Sequence, residues 1–307
     1  LECNSGISGD MTVGALLDLG ADRGALERAL GSLGVGGYHL HFGRTKKCGL
    51  DAFDFDVHLE EGDGEHHHHH HEHEEGVHGH HHHEHGEEGH FQEHVEAGHH
   101  HEHGTEGHFH EHGEVGHHHG HGEEHGHSHA MAEHIHGSGA EHHHHPHVHR
   151  NYADICAIID RLDSNDRVKE LAKRMFRIVA EAESKAHGLP IDQVHFHEVG
   201  AIDSIVDIIG VAVCLDSLGI ENVVVSPLAE GSGYVRCQHG VIPVPVPATA
   251  NIAQTHGLTL RLTDNDGEMV TPTGAAIAAA VKTMDRLPAS CRIVKTGMGA
   301  GKKDRAK

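Results

Sequence analysis

The chain has no apolar run approaching the ~18 residues that a membrane-spanning helix needs, so a helical membrane protein is not the expected class. It opens on "LECNSGISGDM", without the basic n-region and small-residue cleavage site of a secretory signal. Nor does it open on Met, and "LEC" reads as the end of a strand, so a few residues are expected to precede it. None of its six cysteines (Cys3, Cys48, Cys156, Cys214, Cys237, Cys291) forms a C-x-x-C pair, which leaves a zinc ribbon little support. Scattered cysteines in a chain of this size fit a reducing compartment, with mostly buried thiols and the cytoplasm as the expected location. A basic patch is missing and the charge balance is acidic, so nucleic acid is not an expected partner. Absent too are the G-K-[ST] ending of a P-loop and the G-x-S-x-G turn of a serine hydrolase.

One absence is local. Residues 60–149 contain no Lys or Arg, yet they hold 37 of the 45 His and 20 Asp or Glu. This block carries a formal charge of −20 out of the total of −24. The other 217 residues carry 27 acidic and 23 basic side chains, an ordinary balance for one or two compact domains. In the His-rich block, apolar residues are too few for burial to offset the ~1–2 kcal/mol of backbone entropy per ordered residue. The expected organisation is therefore an α/β or α+β globular domain interrupted by a long disordered insertion. Residues 1–59 form its first segment, 60–149 the His/Glu/Gly-rich metal-binding insertion, and 150–307 the remainder. Loop-closure cost grows only logarithmically with length, so such an insertion is tolerable.

Neutral imidazole is a common ligand for nickel, zinc and copper. The runs His66, His67, His68, His69, His70, His71 and His80, His81, His82, His83, interleaved with carboxylates, offer many overlapping and exchangeable sites. Redundancy of this kind suits buffering or delivery rather than catalysis, which needs one rigid geometry with an open position. The plain alternative is a solvated acidic linker.

The rest of the chain mixes helices and strands. A helix is expected from Met11 to Leu19, with Gly20 as its C-cap, and a second over Arg23–Leu33. "YHLHFGRTKK" and "AFDFDVHL" alternate as strands. Helices follow in "NYADICAIIDRL" and in "NDRVKELAKRMFRIVAEAESKAHGLP", where Val168, Leu171, Met175, Val179 and Ala182 share a face. "AIDSIVDIIGVAVCLDSLG" is apolar nearly all round and reads as a buried helix. "NVVVSPLAEG" reads as a strand, "PATANIAQTHG" and "TPTGAAIAAAVKTM" as helices, and "CRIVKTGMGAG" as a last strand breaking into a glycine turn.

The sharpest constellation is "VHFHEVGAIDSIVDI". His195 and His197 alternate in an extended piece and so share a face, with Glu198 directly after them. Asp203 and Asp207, four apart, share one face of the apolar helix. Two carboxylates in such a setting call for a cation or a basic ligand group. For Asp203 alone, helix capping is as good a reading. In "SGISGDM", Ser8 and Gly9 feed a helix whose first N–H groups can hold an anion such as phosphate, opposed by Asp10 unless Asp10 holds a metal. Thr271 and Thr273 of "TPTGAA" stand at another helix start, as caps or as phosphate ligands. Cys237-x-His239 adds a weak two-ligand signal, and Pro243, Pro245 and Pro247 force an extended segment that cannot sit mid-sheet.

Taken in order, "SGISGDM", "HFHEVGAIDSIVDI", "GSGYVRCQHGVIPVPVPAT", "TPTGAA" and "GMGAGKKD" resemble the LarC family of nickel-insertion proteins, as does the internal His-rich stretch. The resemblance covers essentially all of the folded part. It implies insertion of Ni²⁺ into pyridinium-3,5-bisthiocarboxylic acid mononucleotide, with two Ni–S bonds and one Ni–C bond, to form the nickel-pincer cofactor. It also implies CTP hydrolysis assisted by Mn²⁺ or Mg²⁺, in a C-terminal domain that begins about where this chain stops. Such a part would come from a separate polypeptide. In this reading the enzyme is a nickel chelatase, a lyase, and a likeness to it also suggests a homo-oligomer. His195, His197 and Glu198 are the expected transfer or insertion ligands. Asp203 and Asp207 are expected as ligands or their supports, and Asp10 and His239 as weaker candidates. A non-catalytic nickel store or metallochaperone is the alternative, and a nucleotide hydrolase with an incidental linker is a third.

The insertion's chemistry has a pH consequence. Flexible imidazoles titrate near pH ~6.5, and full protonation would turn the block from −20 to about +17. Nickel capacity is therefore expected to collapse below about pH 6. Titrations at pH 5.5 and 7.5 check this, and equal stoichiometry at the two would be the contrary result.

Overall fold

The computed structural model describes residues 1–60, 150–194, 196 and 202–303. These lie in one compact unit, Leu1–Glu65 with His144–Lys307. The expected disorder of 60–149, and the candidate ligands His66–His71 and His80–His83, fall outside the described residues. Among the described residues no helix is long and apolar enough to cross a membrane.

The chain begins with helix α1 (Gly9–Leu19), which ends on Gly20 in the left-handed conformation at φ 104°. Such a residue closes the last turn at no steric cost only as glycine. Helix α2 (Arg23–Gly31) starts on Asp22, whose carboxylate accepts the Ala25 N–H. Strands β1 (Tyr38–Lys47) and β2 (Leu50–Leu59) pair as one antiparallel hairpin, with His39 opposite His58 and His41 opposite Asp56. Their alternation sorts the side chains: Leu40, Phe42, Phe55 and Val57 belong to the core cluster, while His39, His41 and His58 stay exposed.

After the His-rich stretch come helices α3 (Tyr152–Asp160), opened by a full capping box at Asn151, and α4 (Asp166–His187), capped by Asn165 and closed by Gly188. Of the five residues expected on the buried face of α4, Val168, Met175, Val179 and Ala182 are buried, and Leu171 packs partly buried beside them. Helix α5 (Ile202–Ser217) is the centre of the core, with an unbroken buried run from Ile208 to Leu215. Helices α1, α2 and α4 pack against it. Strand β3 (Leu228–Ser232) is followed by the hairpin of β4 (Tyr234–Cys237) and β5 (Gly240–Pro243). Helix α6 (Pro247–His256) starts with Pro at its first position, strand β6 (Leu260–Asp266) pairs parallel to β3, and helix α7 (Pro272–Val281) closes the core against α4 and α6.

The mixed helix-and-strand class is as expected, and three details differ. The strand expected over "NVVVSPLAEG" is regular only from Leu228, because Pro227 has no N–H to give a ladder. The last strand expected in "CRIVKTGMGAG" does not form. Ile293 and Val294 are 78% and 84% exposed, and the only sheet-like pairing in that segment is a single bridge from Gly299 to Phe53. The six thiols form no disulfide, but only Cys3 and Cys214 are buried. Cys48 sits exposed in the β1–β2 turn and Cys291 in the exposed stretch after α7.

That final segment is nonetheless anchored. Phe53 N–H donates to Met298 O (2.8 Å), Ala300 N–H to Phe53 O (2.9 Å) and Met298 N–H to the Asp18 carboxylate (2.9 Å). The approach is so close that a Cβ on Gly299 would overlap the Met11 carbonyl in α1. Gly299→Ala is therefore expected to cost roughly 1–3 kcal/mol in urea unfolding, while Gly31→Ala, with open space around it, should stay within about 0.5 kcal/mol of the parent. Equal midpoints for the two variants would contradict this packing.

Candidate functional site

The segment before α1 and the segment before α7 run side by side. Ile7 N–H donates to Met269 O (3.0 Å) and Thr271 N–H to Ile7 O (3.1 Å), a short parallel bridge. It brings the N-termini of the two helices together. Thr271 caps α7, its hydroxyl accepting the Gly274 N–H at 3.0 Å, so its side chain serves the helix; Thr273 is buried in the first turn. Ser8 is the N-cap of α1, but its hydroxyl donates to the Asp10 carboxylate and accepts no N–H of the first turn, while its carbonyl accepts the Thr12 hydroxyl at 2.7 Å. The two helix starts therefore present N–H groups on neighbouring turns, the arrangement that favours an anion.

Beside α1 stands Asp207 of α5. Gly9 lies against its carboxyl so closely that any Cβ there would overlap it. One carboxyl oxygen, Oδ1, is buried without a hydrogen-bond partner. Burial pushes the Asp207 carboxyl well above the ordinary carboxylate range, and Asp10 and Asp203 push it further. The Asp10 N–H opposes this only in part. Asp203, one turn earlier, is exposed. Desolvation still raises its carboxyl despite hydrogen bonds from the Ser204 N–H and its own, with Asp10 and Asp56 adding to the rise. Asp203 thus accepts N–H groups of the first turn of α5 and stands near other carboxylates.

Asp56 enters from β2. Burial alone would raise its carboxyl, but Lys302, at 3.1 Å, holds it below the ordinary range. Lys302 also pairs with Asp54 at 2.6 Å. Asp56 and Lys302 were not anticipated, although the alternation of "AFDFDVHL" already put Asp54, Asp56 and His58 on one strand face. Glu230 was missed as well. It is 0% exposed, its Oε1 accepts the N–H groups of Gly231, Met269 and Val270 (2.8, 2.8 and 3.2 Å), and its Oε2 is buried without a partner. It pins the very backbone that bridges to Ile7, and no local pattern marks a buried Glu of this kind.

His195, His197 and Glu198 lie outside the described residues; Phe196 between them is buried and bridges to Arg150. His239 belongs to a different neighbourhood, the β4–β5 turn, with the Cys237 thiol 3.8 Å away and the His187 ring centroid at 4.9 Å. Among the described residues no three His, Cys, Asp or Glu side chains already surround one point. Chemically, this site offers carboxylates for a divalent cation and helix N-termini for an anionic group.

A mixed-fold protein that sets clustered carboxylates beside paired helix N-termini is the class this geometry defines. The family model for nickel insertion proteins matches residues 1–117 and 115–307, and the chain belongs to that family. A pyridinium-3,5-bisthiocarboxylic acid mononucleotide nickel insertion protein of Alkaliphilus metalliredigens is 49% identical over 304 residues, covering 99% of this chain and 56% of the relative. Proteins of the same description from Geobacillus kaustophilus and Akkermansia muciniphila are 35% and 36% identical, over 99% and 98% of this chain and 56% and 55% of theirs. The chain thus spans little more than half the length of these relatives. No solved structure matches it.

The upward shift at Asp207 has a definite sign for stability. A carboxyl whose folded pKa is raised favours the fold below its unfolded pKa, and that contribution is lost as pH climbs toward the folded value. At neutral pH the unliganded chain therefore carries a penalty, and Asp207→Asn is expected to relieve part of it. Each kcal/mol relieved should raise Tm by roughly 2–4 °C, with the gain vanishing near pH 4. Thermal unfolding at pH 4 and pH 7.5 reads this out, and a variant less stable than the parent at pH 7.5 would contradict it.

Proposed function

We propose that this chain is the nickel- and precursor-binding portion of a protein that inserts Ni²⁺ into pyridinium-3,5-bisthiocarboxylic acid mononucleotide, in the cytoplasm. The observation that carries the reading is Asp207: a buried carboxyl with an unsatisfied oxygen, pressed against the start of a helix whose N-terminus is paired with a second. The mononucleotide's phosphate suits the N–H groups at the starts of α1 and α7, near Ser8, Gly9, Thr271 and Thr273. Its two thiocarboxylates are soft ligands that suit nickel. Asp10, Asp203 and Asp207 then serve as oxygen donors or hold the incoming cation close, and cation binding requires Asp207 to give up its proton. Forming a Ni–C bond also releases a proton from the ring carbon, and a carboxylate of raised pKa is the kind of base that accepts one. His195, His197 and Glu198 precede α5 directly and are the expected nickel-transfer ligands. The His-rich stretch collects Ni²⁺ and raises its local concentration beside the pocket. CTP hydrolysis with Mn²⁺ or Mg²⁺ belongs, in this reading, to a part outside residues 1–307, whether on the same or another polypeptide.

The alternative, nickel storage alone, is separated by one complementation experiment on cofactor maturation with that further part supplied. His195→Ala/His197→Ala and Asp207→Asn are expected to abolish maturation at scarce and excess nickel alike. Removal of residues 65–149 should impair it only when nickel is scarce. Normal maturation by the His195/His197 double variant would overturn the ligand assignment.

A further inference from the structure

The outer face of the β1–β2 hairpin carries three imidazoles, which the Asp207 site does not use, in line with two carboxylates that reach toward it. On β1 they are His39 and His41; on β2, facing them, His58, Asp56 and Asp54. Directly opposed residues on an antiparallel pair bring their Cβ atoms about 4.5–5.5 Å apart, so facing imidazoles are held by the sheet itself and not by flexible loops. His39 and His58 are directly opposed and their ring centroids are 4.9 Å apart. Two imidazoles on one cation, each with a metal–nitrogen bond of about 2.1 Å, place their centroids roughly 4.5–5.2 Å apart. The pair therefore already has the spacing that chelation requires. His41 stands next along the face, 5.7 Å from the His58 ring. The carboxylates continue the row: Asp56 is 3.2 Å from His58 and Asp54 3.9 Å from His41.

We propose that this face is a Ni²⁺-binding track, with His39 and His58 as its two-imidazole entry site and His41, Asp56 and Asp54 as the donors that follow. Both ends of the track are meaningful. Strand β2 stops at Leu59, and the His-rich stretch follows in the chain at residue 60, so His58 is the last imidazole before it. At the other end, Asp56 and Asp54 share Lys302, and Asp56 is among the charges that raise Asp203 and Asp207. The Lys302 ammonium shows that this end of the face already accommodates a positive charge. Among the described residues donors occur in pairs and not in triads, which suits a cation that must be released again; a closed site with three or four ligands would retain it. Imidazole selects borderline cations such as Ni²⁺ over Mg²⁺, so the track discriminates before the carboxylate pocket is reached. The direction of traffic rests on the proposed nickel insertion, but the site itself does not.

Binding is tested on the full chain, without precursor or partner, by carbethoxylation of histidines with diethyl pyrocarbonate. Modification at His39 and His58 is read by mass spectrometry after Asp-directed cleavage, which separates His58 from the His-rich stretch. Saturating Ni²⁺ at pH 7.5 is expected to protect both residues, and Mg²⁺ neither. In His39→Asn the protection of His58 should be lost, and in His58→Asn that of His39. This mutual dependence distinguishes chelation from mere shielding by a nickel-loaded neighbouring stretch, which one substitution would leave intact. Undiminished protection of His58 in His39→Asn, or equal protection by Mg²⁺, would overturn the track. Either result would leave the Asp207 pocket untouched, because that reading is tested by maturation.

Discussion

The structure turns on a carboxyl group packed against a glycine. Asp207 projects from the most buried helix of the core onto the first turn of α1, where Gly9 leaves room for it and the Asp10 N–H meets it. A buried carboxyl with one unpartnered oxygen opposes folding, and the protein retains it because helix α5 supplies an apolar body large enough to hold it there. Everything near it follows that demand. The bridge from Ile7 to Val270 fixes α1 and α7 together, Glu230 fixes the Met269–Val270 backbone with three N–H bonds, and the glycine-rich tail lies flat on α1.

In the proposed reading, division of labour between a redundant collector and a single rigid site accounts for the chain's uneven composition. The His-rich stretch supplies number: 37 imidazoles with no competing Lys or Arg. The folded part supplies geometry, with its site carboxylates placed by a helix start or a strand face. The chain passes from the imidazoles of the β1–β2 hairpin straight into the His-rich stretch. Metal affinity and metal release pull in opposite directions, and donors grouped in pairs along a strand face occupy the middle ground.

How much of this could be read beforehand depended on whether the cause was local. Helix α4 shows its face by period, and its ends by Asn165 and Gly188, so it was legible from residues alone. The hairpin was legible for the same reason, since its alternation is strict. Asp203 and Asp207 stood out because two carboxylates in an apolar helix are costly. The last strand failed because alternation in "CRIVKTG" has no neighbouring strand to pair with, and pairing is not written in the segment itself. Lys302 is 248 residues from Asp54, and Glu230 meets Met269 across 39, so neither contact has a local signature.

The sequence by itself determined most of the helices, the His-rich composition of residues 60–149 and the family, because composition, period and motif order are properties of the string. Only the tertiary structure decided which carboxyl is buried, which helix starts face each other and which histidines stand opposed. Those depend on which segments pack, and packing is settled by the whole core at once. A single residue's neighbours along the chain do not contain it.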